Sequence, residues 1–189
     1  MRKILSAILV CAAALTTLTG CKHNYIEDKS RKETVSEGSD PIYQHSDSYE
    51  DAIKECFNAT YSENGGKIFF AYMYPDSALK AAKEAGTYDD LINKFNTNQK
   101  EVLGRNNDVF TFGEIKEADE IDSDQIAAAK TYLAALSTDL TDTVTEDDLD
   151  ISMGYEVIYT YLKNGEKDGE DLVLVIQLND EGWKVITGG

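Results

Sequence analysis

The segment ISMGYEVIYTY, residues 151–161, decides how this chain folds, because its apolar side chains recur at every second position. Those positions are Ile151, Met153, Tyr155, Val157, Tyr159 and Tyr161. In an extended strand, alternate side chains point to the same side of the sheet, so this pattern predicts one buried face. Asn164-Gly165 follows as a turn signal, although the residues up to Gly169 favour a longer loop.

Two more strands are predicted after this turn and one before it. Leu172, Leu174, Ile176 and Leu178 alternate in the first of these. The turn at 179–182 then leads into Trp183-Lys184-Val185-Ile186, where Trp183 and Val185 should point inward and Lys184 outward. Residues 108–115 alternate weakly and predict a strand upstream. The sequence therefore predicts an antiparallel sheet of about four strands with one face buried.

Helical signals dominate the chain before this sheet. Ser48 is placed as an N-cap with Asp51 completing a capping-box-like motif, and Gly65-Gly66 is the expected stop of this first helix. The helix carries Cys56 on its apolar stripe, where an unpaired cysteine acts as a small hydrophobic residue. An aromatic segment at 68–74 is expected to be a short helix that packs between the first helix and the sheet.

Further helices are predicted from their expected caps. Asp76 should cap a helix that Gly86 closes, Thr87 with Asp90 should form a capping box, and Ser123 should cap the last helix. Helices that precede an antiparallel meander indicate an α+β domain, which we place at residues 48–189.

The N-terminus has the features of a secretory signal. Arg2 and Lys3 precede an apolar run from Ile4 to Leu15, which is too short for a spanning helix. The following Leu18-Thr19-Gly20-Cys21 resembles the lipobox of bacterial lipoproteins. The resemblance implies that residues 1–20 are removed and that Cys21 becomes the lipidated first residue. The alternative is an ordinary secretory signal that is cut at another small residue.

Residues 21–47 are polar and lack an apolar period, so they predict a flexible tether between the lipid and the domain. Removal of 1–20 takes away two positive charges and no acid, which changes the formal net charge from −17 to −19. This surface should repel nucleic acid and anionic lipid head groups. We therefore expect a protein held outside the cytoplasm at the cell membrane by its lipid, with no nucleic-acid partner.

The order of elements and the terminal Gly182-Trp183-Lys184-Val185 resemble the NTF2-like (cystatin-like) domains of many bacterial lipoproteins. In that family a curved sheet wraps around the helices to form a cone, which often opens as a pocket. Its members range from isomerases and dehydratases to binding modules without catalysis, so the resemblance implies a fold and leaves the function open.

The residues of the expected domain exclude several chemistries. The chain's two histidines, His23 and His45, both lie in the tether, so the domain has none, which excludes a Ser-His-Asp triad and the His-Asp dyad of the NTF2-like dehydratases. One cysteine without histidine cannot supply the usual zinc ligands. Phosphate-binding glycine motifs are absent, and Arg105 is the only arginine of the expected domain. We expect no metal site and no cofactor.

A carboxylate and a tyrosine would suffice for an isomerase-type enzyme, in which an acid moves a proton while a phenol stabilises an oxyanion. Tyr155, Tyr159 and Tyr161 share a strand face, but we expect no acid to share it with them, since Glu156 points the other way. These tyrosines and Trp183 are either core residues or candidates to line a pocket. Two acidic runs could offer oxygen ligands to Ca²⁺, but the simpler interpretation is solvated loops. They comprise Asp119, Glu120, Asp122 and Asp124, and Glu146, Asp147, Asp148 and Asp150.

Three functions stay open at this point. The first is a lipid-anchored module that binds a protein partner or a small ligand without catalysis. The second is an acid/base enzyme of the isomerase type, and the third is a structural or assembly-associated lipoprotein. An open cone lined by a tyrosine and a buried carboxylate would favour the enzyme, whereas a filled cone with an exposed apolar patch would favour the structural protein.

Overall fold

The structure, a computed structural model, describes residues 46–104 and 108–187. The helices are α1 Tyr49–Thr60, α2 Gly66–Met73, α3 Asp76–Glu84, α4 Tyr88–Leu103 and α5 Ser123–Ser137. The strands are β1 Phe110–Glu120, β2 Ile151–Lys163, β3 Glu166–Leu178 and β4 Gly182–Thr187. A short 3₁₀ turn, Glu146–Asp148, precedes β2.

The four strands form one open antiparallel sheet in the order β1-β2-β3-β4. The hairpin of β2 and β3 is longer than its neighbours. Strand β4 pairs with only the second half of β3, from Val173 to Leu178. Strand β1 pairs with the part of β2 nearest the hairpin tip, from Tyr155 to Lys163. The predicted α+β class, with helices preceding and covering an antiparallel sheet of four strands, is confirmed.

The prediction that the sheet buries a single face is wrong, because helices pack on both faces, and a bulge in β2 also turns Ile151 to the face opposite Val157. Ile151 pairs with Leu178, but Met153 pairs with Gln177, so one extra residue on β2 shifts the register between them. A shift of one residue reverses the faces. Ile151 accordingly packs in the cluster of α3, α4 and α5, whereas Val157 packs in the cluster of α1. Met153, expected in the core, is 38% exposed.

Strand β3 shows the same division. Val173 and Val175 pack in the cluster of α1, while Ile176 and Leu178 pack in the cluster of α3, α4 and α5. The expected inward residue Leu172 is exposed. The five-residue apolar run from Leu172 to Ile176 is therefore typical of a strand with helices on both sides, and alternation alone could not identify its buried face.

Two helix starts show where the cap predictions succeed and fail. Ser48 is the N-cap of α1, and its Oγ accepts the Asp51 N–H at 3.2 Å, as predicted. For α5, the cap is Asp122 and not Ser123: Asp122 Oδ1 accepts the Gln125 N–H at 2.9 Å. The Gln125 side chain accepts the Asp122 N–H in return, which completes a capping box.

Three other local predictions are corrected. Helix α1 ends at Thr60, and Gly65-Gly66 begins α2 rather than ending α1. Thr87 occupies the N-cap position of α4 as predicted, but the capping box with Asp90 is not formed, because the Thr87 hydroxyl donates to the Ala82 carbonyl of the preceding helix. Asp76 is the first residue of α3, after the cap position Pro75. Its carboxylate binds a lysine of β4 instead.

The turn between β2 and β3 is tighter than expected. Asn164 and Gly165 both have positive φ, 55° and 85°, and β3 begins at the next residue. This two-residue turn matches the right-handed twist of the strands, so the predicted longer loop to Gly169 is wrong. Asn164 also joins the hairpin to β1, because its Oδ1 accepts the Val109 N–H at 2.8 Å.

The predicted signal, the lipidated Cys21 and residues 21–45 of the tether lie outside the described residues. Within the described ranges, no helix is both long enough and apolar enough to cross a bilayer.

Candidate functional site

The four candidate pocket residues all lie on the side of the sheet that α1 covers. Tyr159 and Trp183 are buried, and Tyr155 is half-buried. Helix α1 places Tyr49 against Tyr155 and Trp183, with ring centroids 4.8 and 5.9 Å away. The helix therefore packs aromatic side chains directly onto one end of the candidate site.

The other end of the candidate site is packed in the same way. Phe57 of α1 meets the ring of Tyr159 edge-on at 5.8 Å and lies 6.4 Å from the ring of Tyr161. Phe112 of β1 stacks on Tyr159 at 5.2 Å. Edge-to-face and offset contacts of this kind add about 0.5–1.5 kcal/mol per pair to the effect of burial. Phe57 and Phe112 therefore occupy the space between α1 and Tyr159.

The structure brings an acid to this face that the sequence analysis missed. Asp171 lies directly opposite Tyr159 in the register of β2 and β3, and the Tyr159 hydroxyl donates to its Oδ2 at 3.3 Å. The strand-by-strand analysis compared only residues of β2. Counting back from the Asn164-Gly165 turn would have found the acid only with the bulge between Tyr161 and Leu162 included.

Asp171 has two donors. Besides the Tyr159 hydroxyl, its Oδ1 accepts the Leu172 N–H at 2.9 Å. Burial, with the nearby Asp171 charge, raises the pKa of Tyr159 well above its usual range. The phenol therefore stays protonated at neutral pH and donates to the carboxylate.

A second tyrosine–carboxylate pair lies where the described chain begins. Tyr72 of α2 is fully buried, and its hydroxyl donates to Glu55 Oε2 at 2.8 Å. Ser46 Oγ lies 2.5 Å from the same hydroxyl. Burial is the main cause that raises the pKa of Tyr72. The aromatic segment that contains Tyr72 packs against both α1 and β4, as predicted, but α1 also packs directly on the sheet, and Ile68 of the segment is exposed.

Lys184 has the least expected environment in the described chain. Strand alternation predicts that Lys184 points outward, yet its side chain is fully buried. Its Nζ donates to Asp76 Oδ1 at 2.6 Å and to the Ala71 carbonyl at 3.1 Å, and Glu181 Oε2 lies 3.9 Å away. Glu181 Oε2 also accepts the Asp76 N–H at 2.8 Å. This network fastens the junction of α2 and α3 to β4.

An open cavity of about 320 Å³ lies elsewhere, between the start of α4 and the segment after α5. Its lining combines apolar and charged side chains: Ala85, Thr87, Asp90, Leu91, Lys94, Asp139 and Leu140. Its volume is at the lower end of the range of small-molecule sites, about 300–1,000 Å³. None of the four residues that we expected to line a pocket belongs to it.

The acidic runs and the cysteine have structural roles. Asp122 caps α5, Asp148 accepts from both the backbone N–H and the hydroxyl of Thr145, and Asp150 accepts from the Asn179 amide. Within residues 46–104 and 108–187, no three His, Cys, Asp or Glu residues are grouped to hold a metal ion. Cys56 is buried, and burial raises its pKa to about 12, so it is an unreactive thiol.

Comparisons of this chain with models of protein families, with curated proteins and with solved structures find no match.

Proposed function

We propose that this chain is a membrane-anchored extracytoplasmic lipoprotein whose NTF2-like domain binds a partner without catalysis. The lipobox-like Leu18-Thr19-Gly20-Cys21 and the tether of residues 21–47 support the location. The observation that supports a binding role concerns Asp171, the acid beside the candidate tyrosines, which is already hydrogen-bonded within the domain. Both of its oxygens accept hydrogen bonds from within the domain.

A general base must reach the proton that it removes from the substrate. Asp171 is exposed at the surface of the sheet and does not line the cavity described above, so neither feature gives it an enclosed site in which to hold a substrate. The rings of Phe57 and Phe112 pack against Tyr159 and help to bury its ring. The same residues are well suited to hold α1 on the sheet and so to keep the outer surfaces rigid for binding.

The second candidate function is an acid/base enzyme of the isomerase type. The pairs Tyr159–Asp171 and Tyr72–Glu55 favour it, because each joins a phenol that stays protonated to a carboxylate. The third candidate function is a structural lipoprotein, and the aromatic packing of Phe57 and Phe112 around Tyr159 together with the exposed Leu172 favours it. Leu172 on the surface fits the binding module as well.

The binding role is tested by scanning the surface with a photo-crosslinking amino acid in living cells. The residue is placed singly at exposed positions on each side of the domain, including Ile68, Lys94, Met153 and Leu172. Intact-protein mass spectrometry then detects both macromolecular and small-ligand adducts. We expect discrete adducts from one contiguous surface. No adduct from any position would contradict a binding function.

The enzyme is tested by the isosteric variants Asp171→Asn and Glu55→Gln, which remove the base and keep the shape. A binding module should give the same pattern of adducts with either variant. If a variant instead accumulates a bound small molecule that wild type does not retain, the carboxylate converts that molecule and the second candidate function is correct.

A further inference from the structure

The side of the sheet that faces away from α1 is covered by helices at one end only, while nearer the hairpin tip Thr160 is buried on this side and its hydroxyl accepts the Glu114 N–H of β1 at 3.0 Å. Near the Ile151 end, Ile176 and Ile186 pack in the cluster of α3, α4 and α5, and Gln125 of α5 donates to Glu156 at 3.4 Å. Nearer the hairpin tip, Ile158 and Leu172 face each other across β2 and β3 on this side. Neither of them belongs to a core cluster of the described residues.

Strand alternation fixes the direction of these side chains. Val157 and Tyr159 point toward α1, so Ile158 between them points to the opposite side. In the same way, Leu172 lies between Asp171, which meets Tyr159, and Val173, which packs under α1. Leu174 lies two residues further along and is partly buried against the cluster of α3, α4 and α5. We call Ile158, Leu172 and Leu174 the Leu172 patch.

The Leu172 patch extends the hydrophobic cluster of α3, α4 and α5 onto the protein surface. Leu172 is 45% exposed, more than the other exposed large hydrophobic residues, Ile68 and Met153. Through Leu174 the patch joins directly to residues that helices already cover. Contiguous exposed apolar surface with a polar rim marks a contact site more often than a single exposed residue does.

The rim of the patch carries more acids than bases, with exposed Lys116 beside Glu117 on β1 and the Lys167–Glu170 ion pair on β3 as its basic members. Glu117 of β1 lies directly opposite Ile158, and Asp119 lies opposite Glu156 two positions along the same pair of strands. Glu156 itself lies opposite Leu174. Glu117 and Asp119 are both exposed. An occupant of the patch must therefore bring apolar side chains for the centre and positive charges for the β1 side.

We propose that the Leu172 patch binds an amphipathic helix of a partner protein, with apolar anchors on the patch and Lys or Arg side chains toward Glu117 and Asp119. This proposal rests on the proposed binding function and names the partner's chemistry. A second copy of this chain fits poorly, because two acidic rims would meet and like charges at an interface disfavour association.

Helical geometry suits the spacing of the patch. Leu172 and Leu174 are two residues apart on one strand, which is about 6.6–6.8 Å. Apolar residues at i and i+4 of a helix are separated by about 6 Å along its axis. Helices of this domain already pack on both faces of the sheet. The added helix would extend the layer formed by α3, α4 and α5 toward the hairpin tip.

The test places the photo-crosslinking residue at position 172 of the full chain in living cells and maps the crosslinked segment by peptide mass spectrometry. Position 68 is the control, because Ile68 has similar exposure on α2. We expect an adduct at 172 whose partner segment has apolar residues at helical spacing flanked by Lys or Arg. The crosslinking residue is apolar and replaces an exposed side chain, so folding is preserved.

Charge is tested by a matched pair of double variants. Glu117→Lys with Asp119→Lys should lower the yield at 172 about fivefold, which corresponds to about 1 kcal/mol of binding free energy. Glu146→Lys with Asp147→Lys makes the same change in net charge on the exposed 3₁₀ turn and should leave the yield unchanged. Equal effects of the two double variants would overturn the acidic rim as the recognition element.

Other results at position 172 separate this inference from the proposed function. An adduct to a second copy of the chain, to its own tether, to lipid, or to a partner segment without basic residues overturns the inference. Adducts at 68 with none at 172 overturn it as well, while a binding function survives. If all scanned positions fail to react, the proposed function fails together with the inference.

Discussion

At the scale of single residues, the Lys184 network joins two parts of the domain that are far apart in sequence. Asp76 is 108 residues from Lys184, and their charged atoms are 2.6 Å apart with the lysine fully buried. Charges taken out of water are costly unless they are paired and hydrogen-bonded. The Ala71 carbonyl and Glu181 supply the further partners that such a buried ammonium needs.

Removal of Asp76 should therefore be severe. Asp76→Ala leaves a buried ammonium without its nearest counter-ion, and breaking a buried pair in this way typically costs about 3–5 kcal/mol. Urea unfolding followed by circular dichroism measures the loss. Asp147→Ala removes an exposed acid and should unfold like wild type. Equal unfolding midpoints for the two variants would mean that Lys184 reaches solvent.

Glu181 gives this network a pH dependence of known sign. Burial is the first cause that raises the pKa of its carboxyl above the ordinary value. The folded state therefore holds this proton to a higher pH than the unfolded chain does, so its contribution to stability falls as pH rises from about 4.3 through the raised pKa.

Glu181→Gln removes this titration and keeps an oxygen that can accept the Asp76 N–H. The stability of the variant relative to wild type should therefore increase as pH rises from about 4.3 toward neutrality and then level off. Unfolding free energies measured across this range check the slope. A relative stability that decreases with pH would show that Lys184 outweighs the burial of Glu181.

Trp183 tests the packing of α1 on the sheet. Its ring is buried and lies 5.9 Å from Tyr49 and 6.1 Å from Tyr155. A buried Trp or Phe changed to Ala typically costs about 3–5 kcal/mol, a large part of the roughly 5–15 kcal/mol that holds a domain together. Trp183→Ala should lower the thermal midpoint sharply, and Ile68→Ala should not. A variant that melts like wild type but loses its crosslinked partner would place Trp183 in a binding site.

At the scale of elements, α5 shows how a cap fixes the start of a helix. Asp122 accepts backbone N–H groups of Asp124 and Gln125 at 3.0 and 2.9 Å, while Ser123 is already helical. Asp122→Ala should cost about 0.5–2 kcal/mol, the usual cost of a lost N-cap. Ser123→Ala is the adjacent control and should change the unfolding free energy by less than about 0.5 kcal/mol, the lower limit for a lost N-cap. A larger loss of unfolding free energy for Ser123→Ala than for Asp122→Ala would show that Ser123 is the cap.

Local signals in the sequence were sufficient to predict which of these segments are helices and which are strands, and to predict several of their boundaries. Period-2 alternation located β2, and Ser48 located the start of α1. The buried face of β3 could not be found in the same way, because Val173 to Ile176 is apolar at every position and serves two clusters. The bulge in β2 left no signal that alternation could detect.

The candidate site was predicted less well than the fold, because its contacts depend on tertiary pairing. Tyr155, Tyr159 and Trp183 do lie together under α1. The acid at Asp171 comes from the next strand, and its position depends on a register with a bulge. The burial of Lys184 depends on Asp76, which the sequence suggested as a helix cap. Single-strand patterns contain no information about such partners.

At the scale of the whole molecule, charge and anchoring act together. Nearly all of the expected net charge of −19 lies on the domain, since the tether contributes only −1 over residues 22–46. An acidic domain on a tether should stand away from an anionic membrane surface and attract basic partners. The acidic rim of the Leu172 patch is the place where this general attraction would become a specific contact.

The proposed location and the access to partners both depend on lipidation of Cys21. Each buried CH₂ adds about 0.8 kcal/mol to membrane affinity, and one short acyl chain holds only marginally, whereas two should hold stably. The direct measurement is metabolic labelling with a fatty-acid probe, followed by membrane fractionation, for wild type and Cys21→Ala. We expect wild type to be labelled and to stay with membranes, and Cys21→Ala to lose the label while its domain folds normally. Equal labelling of Cys21→Ala would show that Cys21 is not the lipidated residue.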